Sequence, residues 1–196
     1  MRLYMIRHGQ SVANAERRHV GWGQTPLTEK GREDARLAGT LLCDVSFDRI
    51  YVSDLIRAKE TLEIALPEAK GIETPLLREI GVGELSGKTV SACAEEYGER
   101  YLTNKAVRNF IPFGGESNDL HRERIGEFLA LLVADPQPTV AAFCHEGSIQ
   151  CVMEIIAGTP LNRQEIHLKN GSVNIFEYAD GAWHTVLLNQ TAKENQ

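Results

Sequence analysis

Apolar and polar positions alternate along this chain in blocks that change period. Leu3-Tyr4-Met5-Ile6 is a short apolar run closed by a glycine-containing turn, the pattern of a buried strand. After Pro26-Leu27, Thr28 is a good N-cap with Glu29 behind it. Ala35, Ala38, Leu41 and Leu42 then recur at helical spacing. Phe47 to Val52 reads as a second strand and leads through Ser53-Asp54 into a helix with Leu55, Ala58, Leu62 and Ala65 on one face. A further amphipathic helix is predicted from about Asn118 to Ala134, with Ile125, Phe128, Leu129 and Leu132 facing the core. Asp135-Pro136-Gln137-Pro138 breaks the chain before a continuous apolar strand at 139–144 and a helix from Ser148 to about Ala157. Finally, Ser172–Tyr178 and Trp183–Leu188 flank Asp180-Gly181, a dipeptide that favours a hairpin turn.

Strands alternating with helices predict an α/β fold: a three-layer α/β/α sandwich whose central sheet is mostly parallel, with the last hairpin as an antiparallel edge. Residues 88–113 have weak periodicity and several aromatic and basic side chains. They are read as a small insertion over the ligand end of the sheet, inside one domain spanning residues 1–196.

Composition narrows the function classes. The chain has 196 residues, 42% hydrophobic and 24% charged, which suits a globular protein and excludes collagen, coiled-coil and disordered readings. Its net charge of −6 argues against a general nucleic-acid surface. Residues 1–36 nevertheless carry seven Lys/Arg against four Asp/Glu, so they are net positive within an acidic protein. Lys30, Arg32 and Arg36 fall on the predicted solvated helix, which leaves Arg7 as the charge of interest. Cys43, Cys93, Cys144 and Cys151 show neither a Cys-x-x-Cys pair nor zinc-ligand spacing, so reduced and mostly buried thiols are expected and no metal is. The first apolar run is too short for a signal peptide and no segment is long enough to span a bilayer; the expected compartment is the cytoplasm, with no membrane partner.

In an α/β sheet, ligands gather beyond the carboxyl ends of the strands. The first strand delivers Arg7-His8-Gly9, the second delivers Ser53-Asp54 and then Arg57, and the strand at 139–144 delivers His145-Glu146-Gly147. Two Arg and two His converging beside a helix N-terminus suit a phosphoryl group, because guanidinium forks match its oxygens and fixed charge stabilises them during transfer. Each residue alone has a plainer reading, since an isolated His after a strand is commonly structural. Their coincidence at strand ends favours function.

These segments resemble the histidine phosphatase, or phosphoglycerate mutase-like, superfamily. The matching blocks are Arg7-His8-Gly9-Gln10-Ser11 with Asn14, Gly21-Trp22 leading to Pro26-Leu27-Thr28-Glu29-Lys30-Gly31, Ser53-Asp54-Leu55 with Arg57-Ala58 and Thr61, Leu77-Arg78-Glu79-Ile80 with Gly83 and Gly87, Gly114-Gly115-Glu116-Ser117, and His145-Glu146-Gly147. The resemblance implies that His8 is a nucleophile forming a phosphohistidine and that Arg7, Arg57 and His145 clamp the phosphoryl oxygens. It further implies that Ser11, Asn14 and Gly21 join the substrate-binding wall and that Glu79 is the general acid and later the base. Residue types alone do not choose Glu79 over Glu73, Glu84 or Glu116. Chemically, cations beside His8 would keep it neutral, whereas Glu79 needs burial or substrate charge to raise its pKa.

No cofactor is expected, and the expected partner is a small phosphomonoester; a homodimer through an edge strand or helix face is compatible with the chain. Two departures from the family pattern matter. Glu146 stands where a small residue is common, and it is expected to face solvent rather than read a substrate hydroxyl or amine. Only 34 residues (80–113) separate Glu79 from Gly114, a short insertion that favours hydrolysis over mutase chemistry. Within it, Arg100, Lys105 and Arg108 could meet a second anionic feature and Tyr97, Tyr101, Phe110 and Phe113 a ring, although solvated charges and core-packed aromatics are the preferred reading. Trp22 either lines the pocket mouth or braces its loop. The function expected is a metal-independent phosphomonoesterase; the alternatives are a cofactor-dependent phosphoglycerate mutase and a non-catalytic phospho-ligand-binding protein.

Overall fold

The computed structural model describes residues 1–163 and 165–192. Among these, six strands form one sheet: β1 (Arg2–Arg7), β2 (Arg49–Ser53), β3 (Ile72–Thr74), β4 (Thr139–Cys144), β5 (Val173–Ala179) and β6 (Ala182–Gln190). Their order is β3-β2-β4-β1-β5-β6, with β1, β2, β3 and β4 parallel and β5 and β6 antiparallel at one edge.

The central strands are buried on both faces, and the period of two decides which core each side chain joins. Val140, Ala142 and Cys144 of β4 point with Leu3 and Met5 into one layer. Ala141 and Phe143 point with Ile6 and Val52 into the other. The first layer is covered by α5 (Asn118–Ala134) and α6 (Glu146–Ala157), whose Ile125, Phe128, Leu129 and Val152 lie in it. The second is covered by α2 (Glu29–Leu42) and α3 (Ile56–Ala65) through Ala38, Leu42, Ala58 and Leu62. The sandwich has the three expected layers. Thr28 caps α2 by accepting from the Gly31 N–H, and Asp180 and Gly181 both take positive φ, as a type I′ hairpin requires.

Three short or irregular elements escape the periodic reading: α1 (Val12–Ala15), β3, and α4 (Val90–Ala106) within the insertion. In α4 the helix is broken at Gly98, whose φ of 53° interrupts the repeat, and only Cys93 and Tyr101 are buried. These two residues join Ile80, Val82, Leu85, Phe110 and Phe113 in a separate small core. The insertion is therefore held by its aromatics. No described helix is long and apolar enough to cross a membrane.

The chain after β1 and the chain after β4 leave toward opposite faces of the sheet, α2 on one side and α6 on the other. A crevice opens where the two neighbouring strands diverge in this way. The turn after β1 is pressed against α2 backbone to backbone: a Cβ on Gly31 would lie 2.0 Å from Gln10 O, and one on Gly9 2.1 Å from Gly31 O. We expect Gly31→Ala to destabilise the protein by about 3 kcal/mol, the upper end of ordinary overpacking, read as a lowered urea midpoint at unchanged slope.

Candidate active site

His8 follows β1 at that crevice and is buried. Its Nδ1 lies 2.7 Å from Gly9 O, a carbonyl that can only accept, so Nδ1 carries the proton and Nε2 keeps a lone pair. The Arg57 Nε–H, from the first turn of α3, points at that Nε2 from 3.3 Å. Burial, then Arg57 and Arg7, hold the His8 pKa well below the ordinary histidine value, so the ring is neutral. Arg57 is itself buried. Its other donors reach Gly23 O at 3.0 Å and Gly21 O at 2.9 Å, and burial first, with Arg7 adding to it, lowers its pKa to about 10, still a cation at neutral pH.

His145, after β4, packs edge-on against His8 with ring centres 5.1 Å apart. Its Nε2 pairs with the Ser53 hydroxyl at 2.9 Å, and its Nδ1 is buried without a partner. Burial and then Arg57 keep it neutral as well. Arg7 anchors its Nη1 on Leu168 O and on Glu146 Oε2, 3.0 Å away, while its buried Nε has no partner. Asn14 lines the same cavity of about 890 Å³, with its Oδ1 occupied by Ser11. Gly21 also lines the cavity, contributing a carbonyl to Arg57. Ser11 is not on the cavity wall; it is buried, and its hydroxyl caps α1 and pairs with Asn14.

Glu79 faces His8 across the cavity, its carboxylate seated on backbone N–H groups: Ile80 N at 2.8 Å and Gly147 N at 3.0 Å, the latter in the first turn of α6. Arg108 Nη2 stands 3.7 Å from Glu79 Oε1. Burial pushes the Glu79 pKa up, but His121, Arg108 and the two N–H groups outweigh it and bring the carboxyl down to about 2. The expected rise from burial is therefore overturned, because burial here comes with a helix N-terminus and a cation.

The loop carrying Glu79 is pinned by Arg124 and Ser148, which no sequence signal singled out for this role, and by Trp22. Arg124 on α5 donates to Leu76 O and Arg78 O at 2.9 Å and to Glu79 O at 3.2 Å, and it is paired with Glu116. Ser148 donates to Leu77 O and Arg78 O. Trp22 donates its Nε1–H to Glu79 O at 2.8 Å and stacks under Arg78, so it braces the loop. Of the insertion, Tyr101, Phe110 and Phe113 are core, Arg100 lies over Phe113, and Arg108 reaches the cavity, its buried Nε and Nη2 making no hydrogen bond beyond the longer ion pair of Nη2 with Glu79. Glu146 does not face solvent: it turns inward because Arg7 and the Leu168 N–H, 3.0 Å away, both need an acceptor.

A buried neutral histidine whose Nε2 lone pair is unprotonated, two guanidinium groups, a second histidine and a buried carboxylate are a set that can handle a phosphoryl group. Comparison with known proteins agrees. A model of the histidine phosphatase superfamily (branch 1) matches residues 3–191. The chain belongs to that superfamily.

Among curated relatives, a 2,3-bisphosphoglycerate-dependent phosphoglycerate mutase 2 of Gloeobacter violaceus is 34% identical, covering 95% of this chain and 90% of its own. Among solved structures, the α-ribazole phosphatase of Shigella flexneri superposes with a TM-score of 0.88 at 27% identity, over 100% of both chains. A mycobacterial glucosyl-3-phosphoglycerate phosphatase superposes with a TM-score of 0.85 at 26% identity, over 96% of this chain and 98% of that one. The superfamily thus brings phosphatases and mutases together on one fold.

In this member a Cβ on Gly147 would lie 2.0 Å from Glu79 Oε1, so a side chain there requires that carboxylate to move. Gly147→Ala should displace the carboxylate and lower kcat/KM by about 100-fold on whichever phosphorylated substrate the wild type turns over, with the fold retained by circular dichroism.

Proposed function

We propose that this histidine phosphatase superfamily member is a metal-independent phosphomonoesterase that hydrolyses a small phosphorylated metabolite through a phosphohistidine. The observation that carries this reading is the Nε2 lone pair of His8, which meets the Arg57 Nε–H at 3.3 Å, beside Arg7 and His145, whose Nε and Nδ1 are buried without a hydrogen-bond partner. Native proteins rarely leave buried polar atoms unpaired, and here two such residues stand beside His8: the His145 ring centre is 5.1 Å from its own, and the Arg7 charge bears on it. Among the described residues, no three His, Cys, Asp or Glu side chains group as metal ligands.

His8 Nε2 attacks phosphorus in line with the leaving oxygen; the N–P bond forms as the P–O bond breaks. Arg7, Arg57, His145 and the Asn14 amide take the equatorial oxygens. The leaving oxygen must gain a proton. Glu79, with its pKa near 2, enters as a carboxylate, so the proton arrives on the monoanionic phosphoryl group and passes through Glu79. In the second half, Glu79 takes a proton from water as its oxygen attacks phosphorus. The P–N bond then breaks, and inorganic phosphate is released with that proton.

The short insertion and the broad cavity favour water over a retained second phosphoacceptor as the partner of the intermediate. The relative named as a mutase supports phosphoglycerate mutase activity as the second reading. A screen of sugar phosphates, nucleotides, phosphoglycerates and α-ribazole phosphate separates them. We expect phosphate release to exceed transfer on every substrate, in the presence of chelator, and His8→Ala to abolish it and the acid-labile phosphoenzyme with it. Transfer outpacing release would establish the mutase. Ligand binding with no turnover in the wild type would leave a phospho-ligand-binding protein.

The pH profile follows from the same groups. Burial and the neighbouring guanidinium groups hold the His8 pKa well below the ordinary histidine value and the Glu79 carboxyl lies at about 2, so both keep one protonation state around neutral pH. We expect kcat/KM to fall as pH rises through about 6, where a phosphate monoester loses its second proton. A rate rising through that interval would contradict the proton route.

A further inference from the structure

The anion pocket has a carboxylate built into its wall. Glu146, at the head of α6, lines the same cavity as His8 and places Oε2 3.0 Å from Arg7 Nη1. Its Oε1 accepts from the Leu168 N–H at 3.0 Å, and His167 Nδ1 lies 3.9 Å from it. Arg7 is therefore shared before any substrate arrives: Nη1 is taken by Glu146 and Leu168 O, and only the rest of the guanidinium faces the pocket.

We infer that Glu146 sets how tightly the site holds a phosphoryl anion, by keeping a negative charge on Arg7 that every bound phosphate oxygen must oppose. This rests on the phosphomonoesterase reading, where it has a purpose. Inorganic phosphate, the last product, is held by the same clamp as the substrate, and a pocket of uncompensated guanidinium groups would release it slowly. The carboxylate lies beside a fixed cation in a partly buried site, so its repulsion of phosphate is weakly screened. Glu146 is a positioning and affinity-setting residue; it touches Arg7 and not the reacting atoms.

The opposite role is also chemically clear and predicts the opposite sign. If Glu146 served only to aim Arg7, its loss would loosen the clamp and weaken phosphate binding. Leu168 O already holds the same Nη1, so aiming does not depend on Glu146 alone. If it served only as a favourable charge at a helix N-terminus, its loss would lower stability and leave anion affinity unchanged.

The test is Glu146→Gln, which keeps size and one acceptor but removes the charge. We expect the inhibition constant for inorganic phosphate to fall about tenfold and KM to fall with it while kcat does not rise. Saturating phosphate should also raise the melting temperature more than in the wild type at equal concentration. Glu146→Ser, a residue tolerated at a helix start, provides the same comparison if the Gln variant does not fold. An unchanged or higher inhibition constant in a folded variant overturns the inference. Absence of turnover in the wild type would instead overturn the phosphomonoesterase reading, and the phosphate-dependent melting shift still tests Glu146 there.

Discussion

Arg57 is a cation buried at the start of a helix, where the backbone dipole opposes it, and much of the site is arranged to make that tolerable. Two carbonyls from the Gly21–Gly23 turn accept from its Nη atoms, and the lone pair of His8 Nε2 meets its Nε. Gly21 supplies its carbonyl from a positive-φ turn in close contact with Val82, so the turn is pressed against the chain just beyond the Glu79 loop. The arrangement fixes chemistry as well as structure. A guanidinium beside Nε2 disfavours a proton there, and the Gly9 carbonyl holds the proton on Nδ1. The tautomer of His8 is set by its neighbours.

A second constraint acts on the opposite wall. Glu79 is seated on the N-terminus of α6, where a Cβ on Gly147 would meet its carboxylate, and its loop is tied down by Arg124, Ser148 and Trp22. The first wall is reached from β1 and β2, whereas Glu79 follows β3 and rests on the start of α6, which follows β4. Preorganised charge on both sides is what stabilises a transferring phosphoryl group without rearrangement.

The sheet and its covering helices were legible because burial on two faces forces near-continuous apolar strands such as 139–144, and one-faced burial forces the spacing of Ile125, Phe128, Leu129 and Leu132 in α5. The insertion was not, since α4 is broken at Gly98 and buries only Cys93 and Tyr101 on its own account. For the site, Arg7, His8, Arg57 and His145 stood at strand ends where any α/β sheet collects ligands, and the structure brings all four together. Glu79 needed a family pattern, because nothing local separates it from Glu116, which instead pairs with Arg124. The inward turn of Glu146 and the lowered pKa of Glu79 depend on contacts with Arg7, Leu168, Gly147 and Arg108, all distant in sequence except Gly147 beside Glu146. No local pattern encodes them.

The neutral, Nδ1-protonated state of His8 is the condition on which the proposed nucleophilic attack by Nε2 depends, and nitrogen-15 NMR of the imidazole reads it directly. At pH 6.5 the His8 ring should show a protonated Nδ1 and an unprotonated Nε2, with no conversion to imidazolium until well below that pH. An imidazolium at pH 6.5, or a proton on Nε2 in the neutral ring, would contradict it.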